Sequence, residues 1–296
     1  MSAPGMKDAR TLPARARRRH RTLVPRRCRH GLLSWPRQVF DRFPMRSILI
    51  TGAASGIGAG IAHALAAAGD HVIVSDLGLD GAEAVAADIR GNGGSAEAVA
   101  LDVTSDDSVA AALATIGRPV DVLVNNAGLQ HVSPLEGFPM AKWDFLVQVM
   151  LVGVARLTRA VLPGMRERGF GRIVNIGSIH ALVASPYKSA YVAAKHGLVG
   201  FSKVIALETA DTDITINTIC PSYVKTPLVD RQIADQARTR GISEADVVSQ
   251  VMLRPMPKGV FIGMDELAGT TAFLVSPAAR NMTGQTLVLD GGWTVQ

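Results

Sequence analysis

From Arg46 onward, short apolar runs alternate with longer segments whose apolar positions recur at helical spacing. The runs are SILIT (47–51), HVIVSD (71–76), EAVALD (97–102), DVLVNN (121–126), RIVNIGS (172–178), ITINTIC (214–220) and TLVLDG (286–291). Runs this short, rich in β-branched residues and nearly continuous in apolar character, suit strands covered on both faces. Alanine-rich amphipathic stretches fill most of the gaps, Ile57 to Ala68 and Ser189 to Ala210 among them, and Trp143 to Arg168 reads as another long helix. Such alternation predicts βαβ units with right-handed crossovers: a single-domain, seven-stranded, doubly wound parallel sheet of Rossmann type, in the α/β class. Residues 226–263 hold no convincing strand. They predict one or two helices inserted before the last crossover, forming a lid over a site.

Composition changes this picture only at the N-terminus. The chain has 296 residues, 48% hydrophobic and 19% charged, with no uninterrupted apolar run near the ~20 residues of a membrane span. Its net charge of +6 is unevenly spread: residues 1–46 carry 13 Lys/Arg against Asp8 and Asp41, whereas the rest carries 18 basic and 23 acidic residues. The segment Ala14 to His30 has no hydrophobic periodicity and too much like charge to pack. Residues 1–45 are therefore expected to be a disordered basic extension, and 46–296 the folded domain. Three readings of the extension stand side by side. It could neutralise nucleic-acid phosphates, or be an Arg-rich transit peptide to the mitochondrial matrix, or precede a natural start at Met45. The last is favoured, with a cytoplasmic protein and no nucleic-acid or membrane partner. Cys28 and Cys220 stand in unrelated contexts and suggest neither a disulfide nor a metal site.

The candidate chemistry begins after the first run. TGAASGIG (51–58) follows a strand and opens a helix. Gly52 allows a tight turn, Gly56 close backbone approach and Gly58 helix–strand packing, so the amides around Ser55 and Ile57 can hold a pyrophosphate. Asp76 ends the second run, where a carboxylate bonds a ribose 2′-hydroxyl and repels a 2′-phosphate, favouring NAD over NADP. The plainer role for Asp76 is a helix N-cap. Tyr191 and Lys195 stand four apart in YVAAK and share a helix face. A lysine beside a phenol lowers the phenol's pKa and makes a proton acceptor. Ser178, at a strand's carboxyl end, is placed to hydrogen-bond a substrate oxygen.

TGAASGIG, NNAG (125–128), Ser178 and YVAAK together resemble the short-chain dehydrogenase/reductase family, over essentially all of residues 46–296. The resemblance implies catalytic roles for Ser178, Tyr191 and Lys195. It implies that Asp102 and Val103 meet the adenine, that Asn125, Ala127 and Gly128 shape the cofactor pocket, and that Pro221, Val224 and Thr226 surround the nicotinamide carboxamide. It also implies a homotetramer, with the two long helices and the C-terminal GGWTVQ as interface candidates. One position departs from the family pattern. Met150, in VMLVG, stands where the family carries an asparagine that holds a water between the lysine and solvent. Slower proton relay is the expected consequence.

Finer detail resembles the bacterial-type D-3-hydroxybutyrate dehydrogenase branch of that family: NNAGLQH (125–131), SIHALVASPYKSAYVAAKHG (178–197), TPLVDRQI (226–233) and DGGW (290–293). In that branch a carboxylate is gripped at positions matching Gln130, His180, Lys188 and Gln232, with Tyr223 closing the apolar side where tryptophan is usual. His180, two residues beyond Ser178, would point the same way on an extended backbone. Oxidation of (R)-3-hydroxybutyrate to acetoacetate is thus the expected reaction. A 3-oxoacyl thioester reductase, another short-chain 3-hydroxy acid dehydrogenase and a non-catalytic nucleotide-binding protein are the alternatives.

Overall fold

The structure, a computed structural model, describes residues 45–295; the basic extension and its three readings lie outside them. Seven strands form one parallel sheet: β1 (Ser47–Thr51), β2 (His71–Asp76), β3 (Ser95–Ala100), β4 (Val122–Asn125), β5 (Phe170–Ile176), β6 (Asp213–Pro221) and β7 (Thr286–Leu289). Their order, β3-β2-β1-β4-β5-β6-β7, reverses direction between β1 and β4. At that switch the loops leaving β1 and β4 diverge to opposite faces and open a crevice at the carboxyl edge.

Period-two alternation along each strand makes two cores. Leu49, Ile73, Leu123, Ile173 and Ile216 pack on one face, and Ile48, Ile50, Val72, Val74, Val124 and Ile176 on the other. Each such side chain, fully buried, contributes roughly 1.5–3 kcal/mol of transfer free energy. The helices α1 (Gly56–Ala67), α2 (Leu79–Gly91) and α9 (Met264–Val275) cover one face. The other is covered by α3 (Asp106–Ile116), α4 (Met140–Val147), α5 (Gly153–Arg168) and α6 (Ser189–Glu208).

Several strand ends differ from the expected ones by one or two residues, and two of these matter for the site. β3 begins at Ser95 because His71 pairs with it, and Leu101 and Asp102 leave the sheet. β5 ends at Ile176, and residues Ile179–Ala181 form a 3-10 turn rather than extended chain. The long helix expected from Trp143 onward is a 29-residue run, Met140–Arg168, with a π-helical turn at Gln148–Val152 between α4 and α5. By length and composition this run could cross a bilayer. Leu157, Val161 and Met165 bury its apolar stripe against the sheet, which accounts for the composition.

The lid is helical, as its pattern predicts. It comprises α7 (Pro227–Arg240), the short α8 (Glu244–Asp246) and a π-helical turn at Val247–Leu253. Val229, Ile233, Val247 and Met252 give it a small core of its own. An isolated bridge, Val224 to Ile262, fastens both ends of the inserted segment together.

Candidate active site

The glycine-rich turn fits an anion for reasons visible in its contacts. Gly52 and Gly56 have φ of +62° and +59°. A Cβ on Gly52 would stand 2.8 Å from the Ala127 Cα, and one on Gly58 would meet the Gly52 carbonyl at 2.6 Å. The turn must therefore lie flat against the β4 loop and α1. Ser55 occupies the N-cap of α1 without a side-chain cap, and no acidic residue stands in the first turn. The free amides and the helix dipole are left to a ligand, and a pyrophosphate suits them. Asn126 holds this arrangement together. Its amide donates to the carbonyls of Thr51 and Gly52, both at 2.9 Å, while the backbone N–H groups of Asn126 and Ala127 donate to the Thr51 hydroxyl at 3.0 Å.

Asp76 accepts from the Ala54 N–H at 3.0 Å and from the Leu77 N–H at 2.8 Å. It is not an N-cap, because α2 starts beyond Gly78. Asp102 accepts from the N–H and hydroxyl of Thr104 at 2.8 and 2.7 Å. Asn125 departs from its expected place. Its amide donates to Asn175 at 2.8 Å, which donates in turn to the Ser202 hydroxyl at 3.0 Å, so it knits β4, β5 and α6 beneath the site. Neither Asn125 nor Gly58 lines the cavity described below, whereas Asn126 does.

The reactive groups meet where β5 and β6 end. Gly177 is squeezed there, since a Cβ would meet the Thr218 methyl at 2.7 Å and the Cys220 Sγ at 2.8 Å. Ser178 follows, with its hydroxyl accepting from the His180 N–H at 3.1 Å. Tyr191 and Lys195 project from adjacent turns of α6, the Lys195 ammonium 5.7 Å from the Tyr191 ring centre. Lys195 is buried and donates to the Ile176 carbonyl at 2.6 Å; burial lowers its pKa to about 8. The expected depression of Tyr191 by Lys195 is not found in the protein alone. Burial raises the phenol's pKa, and a hydrogen bond with Ser178 opposes that rise only in part.

At the other end stand two buried basic groups. His180 donates through Nδ1 to the Val183 carbonyl at 3.3 Å, which leaves Nε2 to accept from Lys188 Nζ, also at 3.3 Å. His180 is 4% and Lys188 5% exposed, and no carboxylate pairs with Lys188 among the described residues. Burial, then the neighbouring Lys188, pushes His180 down to about 4, so the ring is neutral. Burial, then Arg240, lowers Lys188 to about 8. His180 reaches this place from a 3-10 turn, not along extended chain.

Gln130 folds its carbonyl oxygen onto the His131 N–H at 3.0 Å, which leaves its NH₂ as the free end. Tyr187, with φ +68°, turns the chain into Lys188, and its carbonyl accepts from the Ser133 N–H at 2.9 Å. That bond ties the lysine to the Gln130 loop. The Tyr223 ring lies 5.6 Å from the Lys188 Nζ and stacks on Trp293, while Trp293 also meets His180 edge-on at 6.0 Å. Thr226 caps α7 through its hydroxyl and touches the space above Gly56, which joins the lid to the cofactor turn.

One cavity of about 480 Å³ takes in both halves, from Ser55, Ile57, Asp76 and Val103 to Gln130, Lys188, Tyr223 and Gln232. Arg231, which the motifs do not single out, lines it too. No group of His, Cys, Asp and Glu side chains able to hold a metal ion occurs among the described residues.

Residues 46–237 match the family profile described as short chain dehydrogenase. The chain is 43% identical to the D-beta-hydroxybutyrate dehydrogenase of Rhizobium meliloti, over 85% of its own length and 99% of that protein. It is 45% identical to the enzyme of the same name from Cupriavidus necator, over 85% and 98% respectively. Among solved structures, an actinorhodin polyketide ketoreductase with NADPH superposes with a TM-score of 0.79 at 36% identity, covering 84% of this chain and 97% of that one.

Proposed function

We propose that this chain, which belongs to the short-chain dehydrogenase family, is an NAD-dependent dehydrogenase that oxidises (R)-3-hydroxybutyrate to acetoacetate. One observation carries the substrate: Lys188, a buried ammonium with no carboxylate partner among the described residues, lines the same cavity as Tyr191 and Ser178. A buried charge without a counter-ion is costly unless a ligand supplies one. The ligand is then an anion whose reacting carbon lies a few bonds from its charge. A short 3-hydroxy carboxylate meets that description, and the names of the relatives from Rhizobium meliloti and Cupriavidus necator support it.

The residues divide the work. Lys188 binds the carboxylate, with the NH₂ groups of Gln130 and Gln232 as further donors. His180, neutral and accepting from Lys188, positions the ammonium rather than adding a second charge. Ser178 orients the C3 hydroxyl and Tyr191 takes its proton, with Lys195 as the nearby cation. An oxidised nicotinamide held by the glycine-rich turn, Asp76 and the segment from Pro221 to Thr226 would supply the hydride acceptor for C3 and a positive charge that lowers the Tyr191 pKa. Asp76 supports NAD over NADP, because its carboxylate would stand against a 2′-phosphate. Closure of the lid around Gln232 excludes water. A cytoplasmic homotetramer completes the reading.

A panel of small 3-hydroxy acids, both enantiomers of each, assayed with NAD and with NADP, tests it directly. The (R)-3-hydroxybutyrate and NAD pair should give the highest kcat/KM of the 3-hydroxybutyrate combinations. Lys188→Ala should lower kcat/KM for the acid about 100-fold, the loss of a charge-assisted hydrogen bond and its counter-charge. A 3-oxoacyl thioester turned over equally well by wild type and Lys188→Ala, with no activity on the acid, would establish the thioester reductase instead.

A further inference from the structure

Tyr187 holds a conformation that its side chain does not favour. It is the one non-glycine residue with positive φ, +68°, among the described residues. It follows Pro186 as the second central residue of a turn. Proline and then positive φ is the pattern of a type II turn, whose second place suits glycine or asparagine. For a bulky L residue the left-handed region is strained. The ring, 53% exposed and not among the residues lining the cavity, offsets little of that cost by packing. The conformation is held from the backbone instead. The Tyr187 carbonyl accepts from the Ser133 N–H at 2.9 Å, and the Lys188 carbonyl accepts from the Val192 N–H at 2.9 Å as α6 begins.

This turn stands between the two basic groups of the site. His180 precedes it and Lys188 follows it, yet Lys188 Nζ lies 3.3 Å from His180 Nε2, with the lysine 5% exposed. Each residue has only two soft backbone angles, so relaxing φ at 187 to a negative value turns everything before it against everything after it. His180 and Lys188 could not then keep their pairing without rebuilding the turn. Strain that the surrounding contacts sustain, next to a buried charge, marks preorganisation. We propose that Tyr187 is a positioning residue of the anion site: its left-handed backbone, fastened to Ser133, fixes Lys188 onto His180 and so aims the ammonium into the cavity. The effect on substrate rests on the carboxylate reading above, whereas the placement of Lys188 belongs to the free protein.

The test separates backbone preference at 187 from the ring, in the full chain. Tyr187→Gly, Tyr187→Asn, Tyr187→Val and Tyr187→Thr all shed the ring, but the first two enter positive φ readily and the β-branched pair does not. Placement of Lys188 is read without substrate, as the rate at which acetic anhydride labels it, followed by peptide mass spectrometry on protein that still binds NADH. The Gly and Asn proteins should label like wild type, and the Val and Thr proteins several-fold faster. Turnover should follow the same division. For (R)-3-hydroxybutyrate, kcat/KM should stay within about twofold of wild type in the first pair and fall about tenfold, through KM, in the second. Turnover of the methyl ester should be unmoved in all four. Gly and Asn proteins as impaired as the Val protein would place the effect in the ring and overturn the proposal. So would Val and Thr proteins that keep wild-type labelling, or that bind no NADH, since the turn would then serve stability rather than placement. Failure of the carboxylate reading is separately visible as a wild type with no preference for acid over ester, while labelling still divides the variants.

Discussion

At the scale of single residues, Lys188 governs what the site accepts and at what pH. Its pKa is lowered to about 8 by burial first and by Arg240 second, while His180 stays neutral throughout the working range. Because kcat/KM reports ionisations of the free enzyme, the value for the carboxylate substrate should fall above pH ~8, about tenfold per unit once Lys188 is largely neutral. The sign follows from charge: the anion needs the protonated ammonium, so binding is full below that pKa and lost above it. Lys195, also lowered to about 8, affects any substrate alike. The ratio of kcat/KM for 3-hydroxybutyrate to that for its methyl ester therefore isolates Lys188, and a ratio flat from pH 7 to 10 would defeat the assignment. Residues bound to local motifs were the legible ones. Ser178, Tyr191 and Lys195 converge because a strand end and one turn of α6 fix them. Asn125, expected at the cofactor pocket, instead bonds Asn175 on the neighbouring strand, a cross-strand contact absent from the motif itself, and Asn126, to which the motif gave no role, lines the cavity. Trp293, expected only within the interface segment GGWTVQ, gains its place beside the site from the fold, which brings it onto Tyr223 and His180.

At the scale of elements, the strands were read to within two residues, since aliphatic runs of this length have few other uses in an α/β chain. The π-helical turn at Gln148–Val152 was not legible, because one inserted residue leaves the apolar stripe on either side intact. That turn carries Met150, 1% exposed, with its sulfur 3.7 Å from where a Gly128 Cβ would stand. The side chain is thus core packing beside the cofactor cavity, at the position where the family pattern has a water-holding asparagine. Two effects oppose each other in Met150→Asn. An amide placed among Leu146, Val149 and Leu157 costs about 1–3 kcal/mol if unpaired, so the melting temperature should fall. An amide able to hold water near Lys195 should speed proton release, raising kcat several-fold. Differential scanning fluorimetry and steady-state rates separate the two. A lower Tm with unchanged kcat and intact NADH binding would show that Met150 is packing alone.

At the scale of the whole molecule, large apolar side chains among the described residues are exposed on more than one surface, two of them relevant to assembly. One is the outer face of α6, where Val204 is 52% and Leu207 79% exposed among Ala193, His196, Gly200 and Lys203. The other follows β7, the last strand of the sheet, with Val288 and, on α9, Phe273 both exposed, and Val295 just beyond. An open edge strand is an invitation to pairing, and exposed aliphatic side chains such as Val204 and Leu207 carry a similar cost. Each surface can be satisfied by its own copy across a two-fold axis, and two different isologous contacts on one chain generate a tetramer of D2 symmetry. Light scattering should then give about 125 kDa, four times the chain mass of 31.2 kDa. Val204→Arg puts a charge into the α6 contact and leaves β7 untouched, so the mass should fall to about half, with the cofactor still bound. A wild type already monomeric at micromolar concentration would mean that neither surface mates with its own copy. A Val204→Arg protein that stays tetrameric would move the contact off α6, because a guanidinium at the centre of a buried two-fold interface faces its own symmetry mate and could not be accommodated there.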